Sequence, residues 1–364
     1  MKSFWWFLLV LLLTAAATTA AAGLTEDLQA LLNKTLEENP QVPGLSLYII
    51  CPQLDLEWSG AAGMASRNSE ESLTAQHTFR MASNAKTYVA AAILRLVEMN
   101  RLSLDDPLEK HLPQQWRQWL ADDGYDLQAI TLRMVLSHTA GLNDHASDDR
   151  YPEAIVADPQ RQWLPDDQIH LLTQWFDPVG RPGEKFSYSD DGYIILGRIL
   201  EQTTGLALGP AVRSLLDFEY LGLDVTWWEI METKPAAAGP VAHQYFLDFD
   251  TTFWNPSFDL YGGGGLMSDA RDLGLFTRKL IKGEVLKTEE MLMEMTGSGT
   301  ADYRLGLFCS DLNGRLSWGH TGFWNTFVFH LPSLDLTISG CILDRSFRGV
   351  QLAEDVLGLV EQHR

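Results

Sequence analysis

Ser83 stands three residues before Lys86 in the stretch FRMASNAK, 79–86. A serine hydroxyl is a weak nucleophile at its free pKa and needs a neighbour to take its proton. Residues three apart on a helix share a face, so an amine at 86 hangs beside a hydroxyl at 83. Held in a dry helix end near other positive potential, such an amine can lose its charge and serve as that neighbour. A second group is Tyr188 in FSYSD, 186–190, which follows a Gly/Pro-rich loop at 178–183. If its hydroxyl faces Ser83 and Lys86 it can relay the serine proton, because a nearby ammonium favours the phenolate. A third is His320 in WGHTG, 318–322, where glycines inside a predicted strand mark a place for a ligand close to the backbone. Taken singly each pattern has a plainer reading: a helix cap before a solvated lysine, a packing tyrosine, a hydrogen-bonded structural histidine.

The elements that must position these residues can be read from apolar spacing. The run from Tyr88 to Met99 is interrupted only by Arg95 and Glu98, which predicts a largely buried helix starting at or near Ser83. Leu28, Leu31, Leu32 and Leu36 recur at helical spacing between Thr25 and Glu38, an amphipathic helix stopped by Asn39-Pro40. Gly44 to Cys51 and Asp55 to Gly60 read as two strands, and 303–309, 315–318, 325–331 and 336–343 as four more, joined by turn residues such as Asn313-Gly314. A last helix covers roughly 350–362. Between the strand blocks, apolar spacing is mostly helical. These patterns predict an α+β fold: one antiparallel sheet made from both chain ends and flanked by helices, with an inserted mainly helical domain. The predicted parts are a sheet subdomain of about 23–77 and 287–364 and a helical subdomain of about 78–286.

Order and separation give the three patterns a common meaning. Ser83-x-x-Lys86, then Tyr188-Ser189-Asp190, then His320-Thr321-Gly322 resembles the serine beta-lactamase and penicillin-binding protein superfamily, in its class C-related branch of D,D-carboxypeptidases, D-aminopeptidases and esterases. The stretches 102–107, 131–142, 193–205 and 263–273 are similar to that family's spacer segments. The resemblance implies a beta-lactamase/transpeptidase-like fold. It also implies that Ser83 forms an acyl-enzyme and that Lys86 and Tyr188 share the proton transfers. The backbone N–H groups of Ser83 and Phe323 would form the oxyanion hole, and Asp190, His320, Thr321 and Gly322 would contact substrate, with no metal or organic cofactor. Two positions depart from the usual pattern. Asp190 stands where asparagine is usual, and an ionised carboxylate only accepts hydrogen bonds. It is therefore expected to hold Lys86 charged, to turn away, to be protonated, or to favour a substrate offering a donor or a free ammonium group. His320 stands where beta-lactamases commonly carry lysine, which removes a fixed positive charge and lowers the expectation of beta-lactamase activity.

Composition narrows the partners. The 364 residues include 48 acidic and 27 basic side chains, a formal charge of −21, a surface that repels nucleic acid and anionic lipid. Met1-Lys2, the apolar run from Phe4 and the ending Ala20-Ala21-Ala22 predict a signal peptide over 1–22. The chain is therefore expected to be exported, periplasmic or extracellular, with no stable membrane span after cleavage. Cys51, Cys309 and Cys341 fall in strand-like runs and read as buried thiols, too few for a disulfide framework. The sequence expectation is an exported serine hydrolase acting on an amide or ester of a small molecule or peptide, foremost a peptide carrying a D-residue. A beta-lactamase or promiscuous esterase is the alternative within enzymes. A catalytically weakened relative that binds peptide or peptidoglycan is the alternative outside them.

Overall fold

Strands from the two ends of the chain interleave in one six-stranded antiparallel sheet, in spatial order Leu56–Gly63, Gly44–Cys51, Leu336–Ile342, Thr326–Leu331, Arg315–Gly322, Phe308–Leu312. The computed structural model describes residues 23–300 and 302–364; the predicted signal segment lies outside them. Gly44–Cys51 joins the two ends, with Leu45 opposite Ile342 and Ile49 opposite Ile338. Because strand side chains alternate, Leu45, Leu47, Ile49, Phe327, Phe329 and Ile338 fall on one face. There they pack under a helix over 23–38 and the C-terminal helix Gly349–Gln362, through Leu28, Leu32, Leu352 and Val356. Both faces are covered, which is why GLSLYIIC reads as a nearly unbroken apolar run.

The other face carries Tyr48, Val328 and Cys341 and packs into the larger core with the buried helices. Ala270–Ile281, which falls inside the stretch assigned to the helical part, in fact lies on this sheet. Gly274 lets it approach: a Cβ there would meet Ser339 Oγ at 2.4 Å and the Tyr48 ring at 2.7 Å. Ser339 Oγ in turn donates to the carbonyl of Ala270 at 2.6 Å. Among the described residues no helix is long and apolar enough to cross a membrane.

At the centre is Ala85–Glu98, buried on every side from Ala85 to Leu96. It packs against Asp190–Thr204 and Leu208–Leu216. Ser83 does not lie in it but in a tight 3-10 turn, Ala82–Asn84, just before it. Ala82 has φ of 47°, a left-handed conformation that costs a residue with a Cβ on the order of 1–3 kcal/mol. Three hydrogen bonds hold the turn in place. Met81 N–H donates to Leu266 O at 2.8 Å, and Met81 O accepts from Thr326 Oγ1 at 2.9 Å and from Asn84 Nδ2 at 3.0 Å. The 303–309 stretch is not one strand; Tyr303 makes only an isolated bridge to Phe308. The chain bends instead at Gly306, whose carbonyl accepts from Thr87 Oγ1 at 2.7 Å and which rests on Ala90 of the central helix.

Candidate active site

The turn and helix at Ser83, the start of the Asp190–Thr204 helix and the end of the Arg315–Gly322 strand meet at one cleft of about 600 Å³. Lys86 is fully buried beneath it. Its Nζ is 3.0 Å from Ser83 Oγ, 2.7 Å from the carbonyl of Gly263 and 2.5 Å from Asp190 Oδ1. The Tyr188 hydroxyl hydrogen-bonds with both Ser83 and Lys86, and Nζ sits 5.0 Å from its ring centre. Ser83, Tyr188, Asp190, Thr321, Gly322 and Phe323 all line the cleft.

Local chemistry explains why these pieces stop where they do. Ser189 caps the helix that begins at Asp190: its Oγ accepts from Gly192 N–H at 3.2 Å and donates to Asn143 O at 2.5 Å. This is a standard use of serine at a helix start, and it leaves Tyr188 just ahead of the extended cap residue, facing Ser83. The Ser189 N–H donates to His138 Nδ1 at 3.1 Å, and the His138 ring lies 4.3 Å from that of Tyr188. His138 thus supports the tyrosine. Gly322 permits the strand to touch the turn: a Cβ there would sit 2.3 Å from Met81 O and 2.2 Å from Thr326 Oγ1.

The electrostatics correct one expectation. Burial alone would discharge Lys86, but the Asp190 carboxylate outweighs it and holds the ammonium above its usual pKa. Burial likewise opposes the Asp190 charge, and Lys86 overcomes it and keeps the carboxyl below its usual range. Asp190 is therefore neither turned away nor protonated; it is the counter-ion of Lys86. Burial pushes the Tyr188 hydroxyl up to about 12, with Lys86 resisting, so the resting tyrosine is neutral. His320 is pushed down to about 3, first by burial and then by Lys86. Its Nδ1 faces Thr321 O at 2.8 Å and its Nε2 faces the Tyr303 hydroxyl at 3.2 Å. Both ring nitrogens are engaged and the residue is 1% exposed, so His320 braces the strand while lining the cleft beside Thr321.

Four groups escaped the sequence reading. Asp144 and Asp259 line the same cleft. Beside them His145 Nδ1 and Asp191 Oδ1 form a buried pair at 2.9 Å. Asp144, His145 and Asp191 bring ligand-type atoms within 4.8 Å of one another, the grouping that could hold a cation. Burial opposes the His145 charge but Asp191 raises its pKa, so His145 and Asp191 already compensate each other. Their spacing along the chain carries no motif. Trp254, Phe323 and Trp324 line the cleft together with Phe246 and Phe258. Tyr261 does not, because its hydroxyl donates to Trp163 O at 2.7 Å. Cys51 and Cys341 are buried free thiols as expected, whereas Cys309 is half-buried.

A model of the Beta-lactamase family matches residues 30–340 of the chain. The chain belongs to the Beta-lactamase family. Among curated members, esterase EstB of Burkholderia gladioli is 30% identical over 201 residues, 54% of this chain and 49% of that protein. The chain thus spans about half the length of this relative. Among solved structures, a D-stereospecific amidohydrolase from Streptomyces sp. is 26% identical with a TM-score of 0.74, covering 90% of this chain and 98% of that one. D-amino acid amidase from Ochrobactrum anthropi SV3, solved with L-phenylalanine amide, has a TM-score of 0.78 at 22% identity, covering 93% and 99%. The last likeness concerns the fold: a family-type sheet from both chain ends with helices around it.

Proposed function

We propose that the chain is a serine hydrolase that acylates Ser83 with an amide or ester, foremost a small amide or peptide of a D-amino acid. The observation that carries this reading is the 3.0 Å contact between Ser83 Oγ and Lys86 Nζ at the floor of an open cleft. The Streptomyces amidohydrolase supplies the D-stereospecific amide, and EstB supplies the ester.

The charges on Lys86 and Asp190 set the proton path. An ammonium cannot accept the Ser83 proton until it has given up one of its own, and Asp190 at 2.5 Å is placed to receive it. As Ser83 Oγ bonds to the substrate carbonyl carbon, its proton passes to Lys86 and one from Lys86 passes to Asp190. The Tyr188 hydroxyl then protonates the departing nitrogen or oxygen and is refilled through Lys86, which takes its proton back from Asp190. The developing oxyanion is held by the backbone N–H groups of Ser83 and Phe323, each such donor contributing about 3 kcal/mol. Water hydrolyses the acyl-enzyme by the same path. We also infer that the protein works outside the cytoplasm, on the strength of the signal-like segment at 1–22.

A panel of a D-aminoacyl anilide, a short-chain nitrophenyl ester and a chromogenic cephalosporin tests this reading. Release of product from the anilide and ester, with the cephalosporin slowest, is the expected order. A cephalosporin rate above the other two moves the assignment to a beta-lactamase. No turnover of any of the three supports the binding relative, for which the tight Lys86–Asp190 pair is the favouring observation.

A further inference from the structure

Six aromatic rings form a closed circuit at the mouth of the cleft. Phe258 lies 6.1 Å from Trp254, centre to centre, and Trp254 lies 6.1 Å from Phe249. In the other direction Phe258 lies 6.2 Å from Trp324, Trp324 4.9 Å from Phe323, and Phe323 5.8 Å from Phe246. A short hairpin, Tyr245–Phe246 with Phe249–Asp250, closes the circuit. Phe246 and Phe249 are paired opposite each other in it, and opposite residues of a strand pair share a face. Five of the six rings line the cleft, and Phe323 and Phe249 keep 44% and 46% of their surface exposed. The rings therefore border open space, where those of a packed core would be enclosed. At the hairpin tip Leu247 is 73% exposed with φ of 54°, a backbone position that hairpins ordinarily give to glycine or asparagine. A large apolar side chain held out to solvent on a strained backbone points to a binding role. Arg67 fixes the tip: its guanidinium donates to Leu247 O at 3.2 Å, lies 4.1 Å over the Tyr245 ring and pairs with Asp344 at 2.5 Å.

The circuit is tied to the nucleophile at two points. Gly322, next to Phe323, lies against the carbonyl of Met81 at the head of the Ser83 turn. Arg80, three residues ahead of Ser83, donates to the carbonyls of Thr251 and Trp254 at 2.7 Å and 3.2 Å. Tyr188 belongs to a different group of rings, with His138, Tyr303 and His320 at 4.3 Å, 6.2 Å and 6.4 Å. Because Tyr188 protonates the leaving group, the leaving group lies on that side and the acyl group on the other, towards the circuit. We propose that the aromatic circuit binds an extended apolar chain on the acyl part of the substrate, running from the carbonyl at Ser83 out to the hairpin. This rests on the hydrolase reading and adds the acyl class: a medium-length alkyl group such as hexanoyl or octanoyl. No ring of the circuit carries a charge, so an alkyl chain is desolvated there without stranding a polar group. Continuity with the Ser83 cleft selects a chain attached to the reacting carbonyl. The formal charge of −21 disfavours an anionic lipid surface as the occupant.

The test measures kcat/KM for the 4-nitrophenyl esters acetate, butyrate, hexanoate and octanoate, each divided by the rate of that ester with hydroxide. A chain carbon half removed from water contributes about twofold, so octanoate should exceed acetate by about sixtyfold. Phe249→Ser, at an exposed position, should lower that ratio by about tenfold. Leu247→Asn, which suits the left-handed turn, should lower it with no loss of melting temperature. An octanoate-to-acetate ratio of one or below in the unmutated protein overturns the chain site while the hydrolase reading stands. A ratio that neither variant changes overturns it too, as does an equal loss on all four esters. Binding of the unmutated protein to phosphatidylcholine vesicles that Phe249→Ser abolishes, together with a flat ester series, would assign the rings to a membrane surface and overturn the proposal. No turnover of any ester and no fluorophosphonate adduct overturn the proposal and the hydrolase reading together.

Discussion

Tyr188→Phe is expected to slow acylation of Ser83 by about 10²–10⁴-fold, the range that a positioned proton donor contributes. The hydroxyl hydrogen-bonds with both Ser83 and Lys86. With its pKa pushed up to about 12 it is a proton donor at rest and a base only in transit. Removing one oxygen leaves the ring against His138 at 4.3 Å, so the loss should appear in the rate and not in the folded state. Single-turnover release of nitroaniline from an aminoacyl anilide, whose nitrogen must be protonated to leave, read with the melting temperature of the same samples, separates the two. An unchanged acylation rate would remove Tyr188 from the proton path.

Lys86→Met is expected to cost about 3–5 kcal/mol of stability, because it strands the Asp190 carboxylate beside a buried apolar chain. The double variant Lys86→Met, Asp190→Asn should be more stable than Lys86→Met alone, as the stranded charge is then gone. Chemical denaturation of the four proteins gives the coupling, and strictly additive costs would contradict the pair. The pH dependence has a definite sign. Asp190 is lowered, so its contribution is complete above the ordinary carboxylate range and is lost as pH falls through its folded pKa. Lys86 is raised, so its contribution is complete below the ordinary amine range and is lost as pH rises through its folded pKa. The stability difference between the unmutated and double-variant proteins should be flat between about pH 5 and about pH 10 and shrink outside that window.

Several parts of this site were legible in the chain because local patterns carry them. The helix after Ser83 shows in its apolar run, and the sheet strands show in short runs between turn residues. The three walls show in motif order. What the chain concealed depends on contacts between distant residues. Ser83 falls in a strained turn at Ala82, since Met81 is tied to Leu266 and Thr326 far along the chain. The strand expected from Tyr303 breaks because Gly306 docks on Ala90 and Thr87. The charge on Lys86 turns on a residue 104 positions later in the chain, Asp190, whose identity was visible but whose direction was not. Asp144 and Asp259 had no signal at all, because a loop carboxylate becomes distinctive only when the fold buries it without a partner.

The central claim is that Ser83 is the nucleophile, and intact-mass measurement after incubation with a fluorophosphonate tests it most directly. The mature protein should gain one adduct, mapped to the peptide containing Ser83, and Ser83→Ala should gain none while remaining folded. An adduct of equal yield on Ser83→Ala, or no adduct on the unmutated protein while its melting temperature shows it intact, would contradict the account.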